Sequence, residues 1–309
     1  MTKERSRMAE LKSLILLALT VMCGLFLSKE MGEYVIQGMN LAVMSVIPSS
    51  LPFMIFSDLY THYGHPENMK CIGKAFSRIF RLPLSSLSVM VCGNVGGFPI
   101  GAKMTADLFK NGGIDKESAE RLIPLSSNPS CAFVIGAVGL GMYNSFAIGI
   151  LLILSIYMSC IVCAYISNSS GNKIDFSTVN IEQKYSFVAS VKSAGTSLVS
   201  IVAFISCFSV VVGLIKNHIK NNVLSSFVIM FIEVTNATKI FSSEAIFSPG
   251  ISLILSAFSL GFGGLSVMMQ SSIFIEKSGL SMRKYFSLKL LQGLLSSTFT
   301  YVGYMLFLA

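Results

Sequence analysis

The sequence predicts an all-α membrane protein of about eight to nine hydrophobic segments, arranged as two related, inverted halves with broken or re-entrant helices. Three observations predict it. The 309 residues are 53% hydrophobic and 12% charged, with a mean hydropathy of +0.70, more apolar surface than one water-soluble core can hide. The apolar runs are about 16 to 27 residues long, helix-sized rather than strand-sized, and a bilayer admits only helices or closed barrels. Glycine-rich and polar interruptions also recur at matching places in the two parts of the chain, as in carriers with a midplane site.

Taken in order, Lys3, Arg5, Arg7 and Lys12 precede a first run at 13–28. The start resembles a secretory leader, but no small-x-small cleavage pattern follows, so the run is expected to stay as the first span. A second run covers 34–60, and Lys70, Lys74, Arg78 and Arg81 follow in the polar connection 61–82. Both basic clusters then lie on one side, the cytoplasm by the positive-inside rule, which makes the N-terminus cytoplasmic. Runs at 83–109, 122–142 and 246–275 contain Gly, Pro, Ser and Asn and are expected to be broken or re-entrant. Those at 144–167, 187–215, 223–241 and 285–308 complete the set. The chain therefore divides into 1–33, a tail and first span; 34–167, a first half; 168–186, a polar connection; and 187–309, a second half. Across that divide GGFPIGAKMTADLFKNGGID (96–115) sets against GGLSVMMQSSIFIEKSGLS (263–281), and PFMIFSD (52–58) against FIEVTN (231–236).

Four clusters carry the candidate chemistry. In CGNVGGFPIGAK, with Asn94, Gly96, Gly97, Pro99, Gly101 and Lys103, paired glycines before a proline should open the helix. Gly97 and Gly101 also have the spacing of a helix-packing notch, and Gly101 is expected to accept alanine. In LIPLSSNPSCAFVIG, Ser126, Ser127, Asn128, Pro129 and Ser130 should start a helix within the membrane, with Asn128 or Ser127 as its cap and free N–H groups as a seat for an anion. FIEVTNATK brings Glu233, Thr235, Asn236 and Lys239. A carboxylate in an apolar run is a functional candidate, here expected to pair with Lys239 or carry a coupling proton. GFGGLSVMMQ brings Gly261, Gly263, Gly264, Ser266 and Gln270.

Other classes lack their signals. There is no Walker motif, metal-ligand cluster or Gly-x-Ser-x-Gly, so neither an ATP-driven pump nor an enzyme is expected, and no cofactor is called for. His62, His65 and His218 are expected to be solvated. The net charge of +8 is spread over connections, which argues orientation in lipid and not nucleic-acid binding. Seven cysteines, six of them in apolar runs, are not a disulfide framework, and Cys160 and Cys163 are expected to be packing residues.

On PFMIFSD, GGFPIGA, SSNPSCAFVIGAVG, FIEVTN and GFGGLSVMMQ the chain resembles the sporulation integral membrane proteins of the YlbJ or SpoVV family, within the group bearing the nucleoside-recognition (Gate) domain. The resemblance runs from about residue 48 to 270. It implies a multi-pass protein of the mother-cell plasma membrane or outer forespore membrane that delivers dipicolinate to the spore. A proton or sodium is the candidate coupling ion, which the residues leave open. The resemblance further implies kinship with concentrative nucleoside transporters, and a site lined by Gly96, Gly97, Asn128 and Pro129. Where the pattern has a histidine after the second Gly-Gly-Leu-Ser, this chain reads Val267-Met268-Met269-Gln270. The residues alone leave the solute open. A dianion needs about one positive charge beyond two helix N-termini, which Lys103, Lys239 or a co-transported cation would supply. A neutral nucleoside needs none, and a non-transporting scaffold of a sporulation complex is the remaining alternative.

Overall fold

A computed structural model describes residues 28–48, 51–52, 54–56, 59, 70–167, 186–243 and 245–307. The first basic cluster, the first run, His62, His65, part of PFMIFSD and nearly all of the 168–186 connection lie outside them. Every regular element among the described residues is helical. In chain order they are α1 (Ser28–Leu41), continued by a π-helical stretch Ala42–Val46; α2 (Lys70–Phe80); α3 (Ser86–Gly96); α4 (Ile100–Lys110); α5 (Lys116–Ser126); a π-helical segment Phe133–Met142; α6 (Phe146–Ile166); α7 (Phe187–His218); α8 (Asn222–Ile232); α9 (Val234–Ser243); α10 (Pro249–Phe262); α11 (Gly264–Lys277); and α12 (Met282–Phe307). Among the described residues three stretches are long and apolar enough to cross a bilayer: α6, α7 and Pro249–Lys277, which joins α10 to α11. The apolar helices α3 and α8 and the π-helical segment are too short to cross alone.

The expected interruptions are present, and each has a local cause. α3 and α4 fold back on one another around Gly97, Phe98 and Pro99. A Cβ on Gly93 would lie 2.9 Å from the Gly101 Cα, eight residues on, which only an antiparallel pair allows. Ser85 Oγ donates to Gly113 O at 3.0 Å and ties the open end of this hairpin. α5 ends at Ser126, and four residues later the chain re-enters a helix that runs into the π-helical segment. Here the cap is Ser130, whose Oγ accepts from Phe133 N at 3.1 Å, and not Asn128 or Ser127 as expected. The Asn128 amide is drawn instead into a buried network. Between α8 and α9 Glu233 alone is extended, at φ −147° and ψ 117°. Phe227 and Phe241, on either side of it, both reach the Phe247 ring, at 5.9 and 6.0 Å, so the two helices turn towards each other.

Both hairpin and bend are seated on a neighbouring break by main-chain contact. At Gly97 (φ +79°) a Cβ would meet Ser130 N at 2.8 Å, and at Gly101 it would run into the Ser126 carbonyl group. Alanine at Gly101 is therefore not the mild change the sequence suggested. In the second half Gly264 (φ +76°) holds its Cα against the Ile232 carbonyl and Glu233 N, 3.0 and 3.2 Å from a would-be Cβ.

α12 packs between α10 and α6, and α1 lies along α7. One end of the bundle is gathered by α5. Glu120 Oε2 pairs with Lys284 Nζ at 2.6 Å and its Oε1 accepts from Ser281 N, joining α5 to the start of α12. Arg121 donates to the carbonyl oxygens of Phe80, Arg81 and Ala164, which adds the ends of α2 and α6.

Candidate functional site: two buried polar centres

The first centre is built from four helices at the level of the α5 break. Lys289 of α12 is fully buried, and its Nζ donates to Ser127 O at 2.9 Å, Asn128 Oδ1 at 3.0 Å and Gln292 Oε1 at 2.8 Å. Gln292 stands one turn on, on the same face of α12, so both side chains point at the break. Its Nε2 donates to Asn128 Oδ1 at 2.6 Å and to Cys160 Sγ of α6 at 3.0 Å. Asn128 Nδ2 donates to Asn94 Oδ1 and Leu125 O, each at 2.8 Å, and Asn94 Nδ2 donates to Met90 O at 2.7 Å. The ammonium also lies 5.5 Å from the centroid of the Phe98 ring, at the tip of the first hairpin. Each of its polar partners is neutral. An ammonium in such a place costs several kcal/mol of desolvation, which three charge-assisted hydrogen bonds offset.

The second centre is Glu233, 1% exposed, at the bend between α8 and α9. Its Oε1 accepts from Thr235 N at 3.0 Å, and its Oε2 from Asn236 N at 2.6 Å and Asn236 Nδ2 at 2.8 Å. Asn236 Nδ2 also donates to Ser209 Oγ of α7 at 3.1 Å. The carboxylate thus caps the N-terminus of α9 with its own charge, and the expected pairing with Lys239 does not form.

A cavity of ≈ 50 Å³ borders Glu233 of the second centre and the Phe98 ring that lies against Lys289 of the first. Gly96, Gly97, Phe98 and Pro129 line it from the first half and Glu233, Thr235, Ser266 and Gln270 from the second. The Ser266 hydroxyl is buried there with no hydrogen-bond partner among the described residues. The space holds a few waters. A second, larger space of ≈ 870 Å³ is lined by Gln37, Asn40, Asn236, Lys239, Ser242 and Ser243 among others. Asn236 borders this vestibule and also bonds the carboxylate that faces the small cavity.

Most of the expected residues are therefore brought together, from both halves, but two lysines are not where the argument put them. Lys103 donates to Ser193 Oγ at 3.0 Å, away from the cavity, and Lys239 lines the vestibule. Both helix N-termini are capped in part from within: Ser130 Oγ occupies Phe133 N, and Glu233 occupies Thr235 N and Asn236 N. Lys289, Gln292 and the acceptor role of Cys160 were missed. The available signal was Lys289 itself, a charge inside the run at 285–308.

No family model matches the chain, and no solved structure matches it. The chain is 27% identical over 297 residues to the protein named "Sporulation integral membrane protein YlbJ" of Bacillus subtilis (strain 168). The match covers 82% of this chain and 72% of that relative.

Proposed function

We propose, from the premise that the chain belongs to the YlbJ family of sporulation integral membrane proteins, which this similarity supports, that it carries dipicolinate across the outer forespore membrane. One observation carries the reading: a fully buried ammonium, held by neutral groups at a helix break. Packing alone gives no reason for it, since an apolar side chain would fill the same place without desolvating a charge. A dianion crossing hydrocarbon, by contrast, requires fixed positive charge, because taking its charge out of water costs far more than a few neutral contacts return. Both helix N-termini are partly capped from within, and Lys289, behind the Phe98 ring that lines the cavity, supplies the full positive charge in this reading.

Glu233 faces the same cavity and repels a carboxylate. A proton bound to Glu233 together with the solute removes that repulsion, which makes the proton the coupling ion of this reading. The ≈ 50 Å³ cavity is too small for a pyridine ring with two carboxylates, so in this reading the site widens to take the solute, which approaches through the vestibule. By element order, the α3–α4 hairpin and the α5 break correspond to the α8–α9 bend and the α10–α11 break. That pairing matches the two halves differently from the Gly-Gly alignment, which sets a hairpin tip against a helix break. The N-terminus is cytoplasmic in this reading, and the protein transports without catalysing a reaction.

The test is uptake by vesicles containing the purified protein, with labelled dipicolinate and labelled uridine. Dipicolinate uptake supports the reading; uridine uptake alone supports a nucleoside carrier, and no flux supports a scaffold. In cells, loss of the protein is expected to leave dipicolinate in the mother cell and deplete it in the spore. Normal spore dipicolinate in a deletion strain without a paralogue sinks the assignment.

A further inference from the structure

The geometry of the α5 break points to a monovalent-cation site whose occupant is the protein's own Lys289 ammonium, so that we infer carriage without sodium or potassium at this position. Three oxygens converge there: one carbonyl of an opened helix, Ser127 O, and two amide oxygens, Asn128 Oδ1 and Gln292 Oε1, at 2.8 to 3.0 Å from Nζ. Neutral, hard oxygens at a helix interruption are the donor set that membrane carriers offer to an alkali cation. No carboxylate is among them. The three N–H groups of an ammonium match the three acceptors one to one, whereas a neutral amine has only two to give.

The oxygens are aimed independently of the lysine. Both amide nitrogens are committed elsewhere: Asn128 Nδ2 to Asn94 Oδ1, Leu125 O and Cys160 Sγ, and Gln292 Nε2 to Asn128 Oδ1 and Cys160 Sγ. Each amide can then turn only its oxygen towards the centre. The Phe98 ring covers one further side with its electron-rich face. A shorter, uncharged residue at 289 therefore leaves a buried hole whose walls are already set for a bare cation. The site stands on this geometry, and its consequence for coupling rests on the transport reading above. A charge fixed to α12 does not leave with the solute, so no alkali ion enters the stoichiometry through this site.

The test is thermal unfolding of the purified full-length chain in lithium, sodium, potassium or rubidium chloride, each against choline chloride at equal ionic strength. Wild-type protein is expected to unfold at one temperature in all of them. Lys289→Ala is expected to gain about 3 °C or more, saturably, in at least one alkali salt at ~100 mM. Lys289→Met, whose side chain refills the hole without charge, is expected not to respond. A folded Lys289→Ala protein indifferent to every salt overturns the inference. So does saturable stabilisation of the wild type by an alkali cation over choline, a result that needs no variant to fold. Where vesicle uptake is observed, its rate in choline buffer should stay within about twofold of that in sodium, and a tenfold loss also overturns it. Absence of uptake in every buffer counts against the transport reading alone and leaves the unfolding result to decide.

Discussion

The two buried charges meet the same cost by opposite means. Lys289 is satisfied by tertiary structure: its acceptors come from the α5 break and α12, aligned by Cys160 of α6 and Asn94 of α3. Glu233 is satisfied almost wholly by the next turn of its own chain, through Thr235 and Asn236, with one link from Asn236 to Ser209. A charge solvated by its own helix start can move with that helix, whereas one solvated by four packed helices holds them in register. In the transport reading, the α8–α9 bend, which also borders the vestibule, is the side expected to move, and the Lys289 centre the fixed wall.

This contrast is breakable. Lys289→Met removes about 3 kcal/mol of charge-assisted hydrogen bonding and should lower vesicle uptake by about a hundredfold. A loss no larger than that of Glu233→Gln would place the essential charge at the bend instead. Next, Gly101→Ala pushes a methyl into the Ser126 carbonyl behind the fixed wall, and overpacking of this kind costs about 1 to 3 kcal/mol. Its melting temperature should fall measurably, while Gly136→Ala, with open space around the added carbon, should leave it unchanged.

Glu233→Gln keeps an acceptor for the α9 N–H groups and loses the ionisable group, so uptake at uniform pH should change by less than about tenfold. Acceleration by an inward proton gradient, expected in the wild type, should vanish. Persistence of that acceleration would remove Glu233 from coupling. The smallest effect is expected from Cys160→Ser, which preserves an acceptor for Asn128 and Gln292. Cys160→Ala leaves the Gln292 amide one acceptor short, at about 1 kcal/mol, and a melting curve separates the two.

Much of this architecture was legible in the residues, because broken helices need residues that break helices. Gly97, Pro99, Pro129, Gly263 and Gly264 announced three of the four interruptions, and the cost of a carboxylate in an apolar run announced Glu233. What could not be read was partnership. Lys239 is near Glu233 in sequence but faces the vestibule, while Lys289 reaches Asn128 across 161 residues. Asn128 carries the features of a helix cap and yields that role to Ser130, because its amide makes more bonds in the buried network than a cap would. Cys160 reads as a small apolar residue by composition and becomes an acceptor only because two amides from distant helices converge on it.

At both glycine seats, Gly97 on Ser130 and Gly264 on the Glu233 bend, the closest contacts are between main chains. The hairpin and the bend therefore bear on their neighbours through atoms that every amino acid shares. Side chains that look into the cavity from between those seats, among them Ser266 with its unpaired hydroxyl and Gln270, are free of the bearing surfaces. In the transport reading, cargo choice and machinery are thereby separable. A library randomised at Thr235, Ser266 and Gln270 is a route to carriers for other small aromatic acids, built on an unaltered gate.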